Sequence, residues 1–161
     1  ASDFIKLWLE LGNHETMRTV GHIITSAGVS AASYLVYKSP GAAFASFLAG
    51  FLIDLDHMFD YVRAHGWHFD WQAIARADSE KYSGKLYLPL HSFELLALFF
   101  LFFKGPTKQP YRVGITVSIL THLLLDQKCN HSRKPGTYFL ASRISKRFNA
   151  HEILHKDFHL R

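Results

Sequence analysis

The chain has 161 residues, 48% of them hydrophobic and 19% charged, which suits one domain with a real core and excludes a disordered segment. A single cysteine, Cys129, excludes an internal disulfide and a thiolate metal cluster. The net charge of +5 fits an anionic partner, and eleven His point toward metal or proton chemistry, with surface His as the plain alternative.

Near the start, Phe4, Ile5, Leu7, Trp8 and Leu11 fall mostly on one side of a short helix, either lying on a membrane or packed as a terminal element. Asp3, Lys6 and Glu10 interrupt this stretch, so no cleavable signal is expected. The first apolar segment, about 20–37, carries no charge apart from His22. Its Gly21, Ala27, Gly28, Ala31, Ala32 and several Ser suggest close helix contact through small residues. Lys38-Ser39-Pro40-Gly41 is a turn. The second segment, about 41–58, repeats small residues at Ala42, Ser46 and Gly50, then meets Asp54, Asp56, His57 and Asp60. Carboxylates at the end of an apolar run are costly unless something pairs with them, and a divalent ion is the simplest partner for acids and an imidazole so close together. Asp60 reads as a solvated acid just past the apolar edge.

A polar middle follows, with His65, His68, Asp70 and a short helix expected over 71–76. The third segment, about 86–103, has His91 and Glu94 near its start and an apolar tail from Leu95. Gly105-Pro106 and Pro110 turn the chain into the fourth, about 111–126, which ends in Thr121-His122-Leu-Leu-Leu-Asp126. A basic helix over 138–148 carries Arg143, Lys146 and Arg147, a solvated face that beside a membrane would hold acidic headgroups. No run alternates with the period of a strand.

The pattern predicts an all-α single domain, 1–161, built as an up-down four-helix bundle with extra short helices at its polar end. The segments lack the charged outer stripe a soluble bundle needs, so lipid is the simpler cover. A soluble all-α core is the alternative, because segments of ~16–18 residues reach only ~25 Å. In an up-down bundle the start of segment one, the end of two, the start of three and the end of four share one end. His22, Asp54, Asp56, His57, His91, His122 and Asp126 therefore converge. Of the 18 Lys and Arg, only Lys38, Lys104, Lys108 and Arg112 fall at the other end, so the ligand end and both termini are expected to face the cytoplasm.

Two motifs carry bland readings beside the functional one. His122 and Asp126, four apart on one helical face, either share a metal or form a buried hydrogen bond; the convergence favours the metal. His151-Glu-Ile-Leu-His155 matches the helical zinc-protease signature, but the extended form wants Gly at 158 and His at 161, where Phe158 and Arg161 stand; we read it as a chance match. Cys129 beside His131 reads as incidental.

The set Gly21-His22, Asp54-Leu-Asp-His57, His91-Ser92 and Thr121-His122-Leu-Leu-Leu-Asp126 resembles the predicted membrane-bound metal-dependent hydrolases of bacteria, over about residues 19–126. A fainter likeness is to zinc-dependent phospholipase C and the related nucleases. Ile53 stands where the first family usually has Pro before the Asp pair, and its usual His-Arg is absent near Leu86 and Tyr87. The resemblance implies a metal-dependent hydrolase of the bacterial inner membrane.

The expected ligands are His22, Asp54, His57, His91, His122 and Asp126, holding one or two ions, zinc first, with manganese or iron as alternatives. Asp56 is a bridging ligand or supports one, and Asp56 or Glu94 would take the proton. The expected substrate is a phosphoester, a small molecule or a lipid headgroup, rather than nucleic acid. The rival is a non-catalytic, metal-stabilised membrane or partner-binding module.

Overall fold

A computed structural model describes residues 16–67, 84–129 and 134–154. The short helices expected at 4–11 and 71–76, together with His68, Asp70, His131, His155 and His159, lie outside them. The described residues form seven helices and no strand. They are α1 (Thr16–Tyr37), α2 (Pro40–Leu52), α3 (Leu55–His65), α4 (Phe93–Phe102), α5 (Gln109–Cys129), α6 (Leu140–Ser145) and α7 (Ala150–Ile153).

Helices α1, α2 and α5 pack on one another, and α4 packs on α5. Ser39 starts α2 by accepting from the Ala42 N–H at 3.3 Å, with Pro40 pre-set in the first turn. The three central helices meet through small polar residues. Ser26, Ser33, Ser46 and Ser118 are buried, the Ser46 hydroxyl donates to the Gly114 carbonyl at 2.9 Å, and Ser30 donates to that of Ala43 at 2.7 Å. The outward residues are the apolar ones: Val36 is 72% exposed and Phe102 80%. The run Pro40–His65, taken together, is long and apolar enough to cross a membrane.

The small-residue contact of α1 is made by only part of the expected set. Ala27, Gly28, Ala31 and Ala32 face outward, and nothing lies within 4 Å of a Cβ placed on Gly21 or Gly28. The serines of the set, Ser26, Ser30 and Ser33, make the contact, because hydroxyls can bond across helices where a methyl cannot. In α2 the expected Ala42, Ser46 and Gly50 are buried. A side chain on Gly50 would strike the hydroxyls of Ser118 and Ser26. Gly50→Val should cost about 1–3 kcal/mol of stability, whereas Gly28→Ala should be neutral or stabilising by about 0.4–1 kcal/mol. Thermal melts of the two variants check this contrast.

Segments two and three are shorter as helices than expected. Segment two breaks after Leu52, where the Gly50 carbonyl accepts from His122 Nδ1 at 2.9 Å. The chain tightens there to bonds three residues apart, Asp56 N–H to the Ile53 carbonyl and His57 N–H to that of Asp54, before α3 begins. Segment three is helical only from Phe93, capped by Ser92, which accepts from the Leu95 N–H at 3.2 Å. Residues 84–92 instead run as a strap across the ligand end, because side chains from other elements take its backbone groups.

Those side chains correct two expectations. Asp60 is buried, not solvated: its Oδ2 accepts from the Tyr87 and Leu88 N–H groups at 2.9 and 3.2 Å. Arg143 is fully buried rather than on a solvated face, and its guanidinium donates to the carbonyls of Tyr87, Leu88 and His91. The strap also pairs with the C-terminal part through Leu86 N–H to the Phe148 carbonyl and Ala150 N–H to that of Gly84. Beneath it lies the apolar core, where Ile53, Leu86, Leu88, Leu123, Tyr138 and Ile153 pack together.

Candidate metal centre

Four side chains from three separate parts of the chain meet where α2 breaks. Asp54 comes from the α2–α3 junction, His91 from the strap, and His122 and Asp126 from one face of α5. One donor atom of each lies within 4.8 Å of all the others. His122 Nε2 is 3.2 Å from Asp54 Oδ1 and 3.5 Å from Asp126 Oδ2. His91 Nε2 is 3.5 Å from Asp54 Oδ1 and 3.3 Å from Asp126 Oδ2. The donors of a tetrahedral zinc with bonds of ~2.0–2.1 Å stand about 3.3 Å apart.

The hydrogen bonds behind these residues fix which nitrogen faces inward. His122 Nδ1 lies 2.9 Å from the Gly50 carbonyl, which can only accept, so Nδ1 carries the hydrogen. His91 Nδ1 is likewise 2.9 Å from both oxygens of Asp56. The two Nε2 atoms are buried and make no hydrogen bond. In the neutral rings each presents a lone pair to carboxylate oxygens, an arrangement that needs a cation between them. The cluster can therefore hold a metal ion, and backing of the ligand imidazoles by a carboxylate and a carbonyl is the usual support for one.

The other expected residues sit around this group. Asp56 belongs to its supporting layer: its Oδ2 also accepts from the Leu90 and His91 N–H groups at 2.9 and 3.1 Å, so it orients His91 in ring and backbone together. Asp56, His57 and His91 form a second, overlapping group of close donors. His57 Nε2 lies 3.9 Å from Asp54 Oδ1, on the side where the Asp54 side chain is 38% exposed. His22 reaches the cluster through Asp126, with Nε2 at 3.0 Å from Oδ1, and its ring stacks on His122 at 3.8 Å between centroids. Glu94 is outside both groups. Its oxygens accept from Ser92 and from the Leu140 and Ala141 N–H groups, so it caps α6.

Two residues that sequence reasoning passed over also support the cluster. Tyr138 donates its hydroxyl to Asp126 Oδ2 at 3.2 Å, and its ring lies against His91. Arg143, by clamping the His91 carbonyl, holds the strap that carries a ligand. A lone Arg in a basic helix and a Tyr beside a loop carry no sequence signal for either role.

Burial opposes charge on the His91 ring, but Asp126, Asp54 and Asp56 outweigh it and hold the ring protonated well above the usual imidazole range. In the metal-free chain that proton does part of the ion's work. A raised folded pKa stabilises fully below the unfolded value of about 6.5, and the contribution is lost as pH rises through the folded value. The metal-free protein should therefore melt at progressively lower temperature above about pH 7, while the metal-loaded protein holds its melting point because the ion replaces the proton. Melts of both forms across an alkaline pH series check this.

No family model, curated protein or solved structure matches the chain.

Proposed function

We propose that this protein is a membrane-embedded, metal-dependent hydrolase of phosphoesters, with zinc the first candidate for its ion. The observation that carries the reading is the cluster of Asp54, His91, His122 and Asp126, with two inward Nε2 atoms lacking any hydrogen bond. The likeness of its motifs to the membrane-bound hydrolases agrees with it. A bound divalent ion supplies Lewis acidity, polarising the phosphoester and easing the deprotonation of water. Hydrolysis then adds water across the P–O bond, its oxygen to phosphorus and a proton to the leaving alcohol.

The chain's own residues supply position and proton transfer. Asp56, Tyr138 and His22 orient the donors and hold their charge in place. Asp56 faces His91, and Glu94 caps α6, so neither is free for the reacting water. We assign that role to His57, whose Nε2 lies 3.9 Å from the partly exposed Asp54 carboxylate.

Membrane embedding is supported by the inverted distribution of polarity, serines inside and apolar side chains outside. At ~1.5 Å per residue, the 22 residues of α1 and the 21 of α5 reach ~30 Å, the length of a span, while among the described residues the run Pro40–His65 is both long and apolar enough to cross. The 10 residues of α4 reach only ~15 Å and enter without crossing. The excess of basic residues at the cluster end supports an orientation of that end toward the cytoplasm.

Four protein donors around one ion also fit a structural site, so a metal-stabilised module without catalysis is the second reading. Elemental analysis and phosphoester hydrolysis of the detergent-purified protein separate them. About one ion per chain with metal-dependent turnover that His57→Gln reduces about 100-fold or more supports the enzyme. A full complement of metal with no turnover on any phosphoester selects the structural module.

A further inference from the structure

Beside the cluster lies a groove of about 300 Å³ lined by α2, α4, α5 and the strap. Leu52 and Ile53 come from α2 and its end, Leu95 and Phe99 from α4, Ile119 from α5 and Leu90 from the strap; every lining residue is apolar. The groove exists because α4 packs on α5 and not comparably on α2. Its upper end joins the metal centre through the chain itself: Ile53 is followed by Asp54, and Leu90 by His91.

We propose that this groove seats the first part of one hydrocarbon chain of a phospholipid and delivers its headgroup phosphate to the Asp54 side of the cluster. The inference rests on the hydrolase reading and narrows its substrate to a membrane lipid. A soluble phosphoester has no group that gains from a wholly apolar wall beside the ligands. A lipid has both parts, in the order in which groove and cluster are joined. The approach is one-sided, since Asp54 is partly exposed while His91 and His122 are buried. Exposed cations at the same end, among them Lys128 and Arg147, complement a phosphate. The groove orients the lipid more than it attracts it, because a chain leaving bilayer for groove exchanges one apolar surrounding for another.

Filling the groove tests this. Ala49 also lines it and belongs to neither donor group, so Ala49→Trp occupies the space without touching the ligands. Leu95→Trp fills it from the α4 side and replaces Ala49→Trp if that variant does not fold. Metal content is measured first, then hydrolysis of a diacyl phospholipid in micelles and of water-soluble glycerophosphocholine, which has the headgroup and no hydrocarbon chain. The expected result is unchanged metal, a loss of about 10-fold or more in kcat/KM for the lipid, and a soluble-substrate rate within about 2-fold of the parent. Equal losses on both substrates, or no loss on the lipid, overturn the groove. If the metal-loaded parent hydrolyses neither, the hydrolase reading fails, and a phospholipid with a photoreactive diazirine on its chain decides the groove separately. Labelling of residues 95–99 and 115–119 that Ala49→Trp abolishes keeps it as a lipid-chain site; labelling that the variant leaves unchanged removes it.

Discussion

Replacing His122 with Ala should abolish stoichiometric metal binding, lowering the content of the purified protein from about one ion per chain to near zero. His122 contributes one of four donor atoms, and its loss also frees the Gly50 carbonyl and opens the α2–α5 contact. The comparison with supporting residues is more telling than the single loss. Asp56→Asn keeps the shape but weakens the hold on His91, so affinity should fall about 10–100-fold with stoichiometry preserved at saturating metal. His22→Ala acts through Asp126 and should fall in the same range. His151 is exposed on α7, outside both donor groups, and His151→Ala should leave content and affinity unchanged. Elemental analysis with competitive chelator titration measures all four. If His122→Ala retains a full ion, or His151→Ala loses one, the cluster is not the metal centre.

The ligand end was legible from sequence because it needs only helix direction. His22, Asp54, His91 and His122 stand at alternating ends of successive apolar runs, which share one end when each run reverses the last. What was not legible is the extent of each helix. Leu86 to His91 reads as the start of an apolar helix by composition. Its backbone donors are taken by Asp60 and Asp56, two acids from another element, and no periodicity reports that competition. Asp60 and Arg143 were misplaced for a related reason. A charged side chain reads as solvated unless its partners are visible, and here the partners are backbone groups some 27 to 56 positions away, which carry no residue-type signature. In α1 the small residues were legible as a set but not which of them would face inward: nothing approaches Gly21 or Gly28, and the serines make the contact.

The buried arginine carries the second large effect. Arg143→Met should destabilise the metal-free fold by about 3–5 kcal/mol, even though Met fills much of the volume. Three carbonyls of the strap, those of Tyr87, Leu88 and His91, accept from this one guanidinium, and no water takes its place where the side chain is fully buried. Each buried carbonyl left without a donor costs about 1–3 kcal/mol, which outweighs what Met gains by being apolar. Arg143→Lys should recover only part of the loss, since a single ammonium cannot span carbonyls that the planar fork reaches together. The damage should not stay local. Leu88, held at a φ of 42°, precedes Pro89 and keeps this left-handed conformation only while its neighbours are pinned. Once the strap relaxes, His91 leaves the cluster, so metal affinity should fall together with the melting temperature. Denaturant titrations with and without metal check both parts. A Met variant within about 0.5 kcal/mol of the parent would show that the strap holds itself, and that Asp56 and Asp60 suffice to place His91.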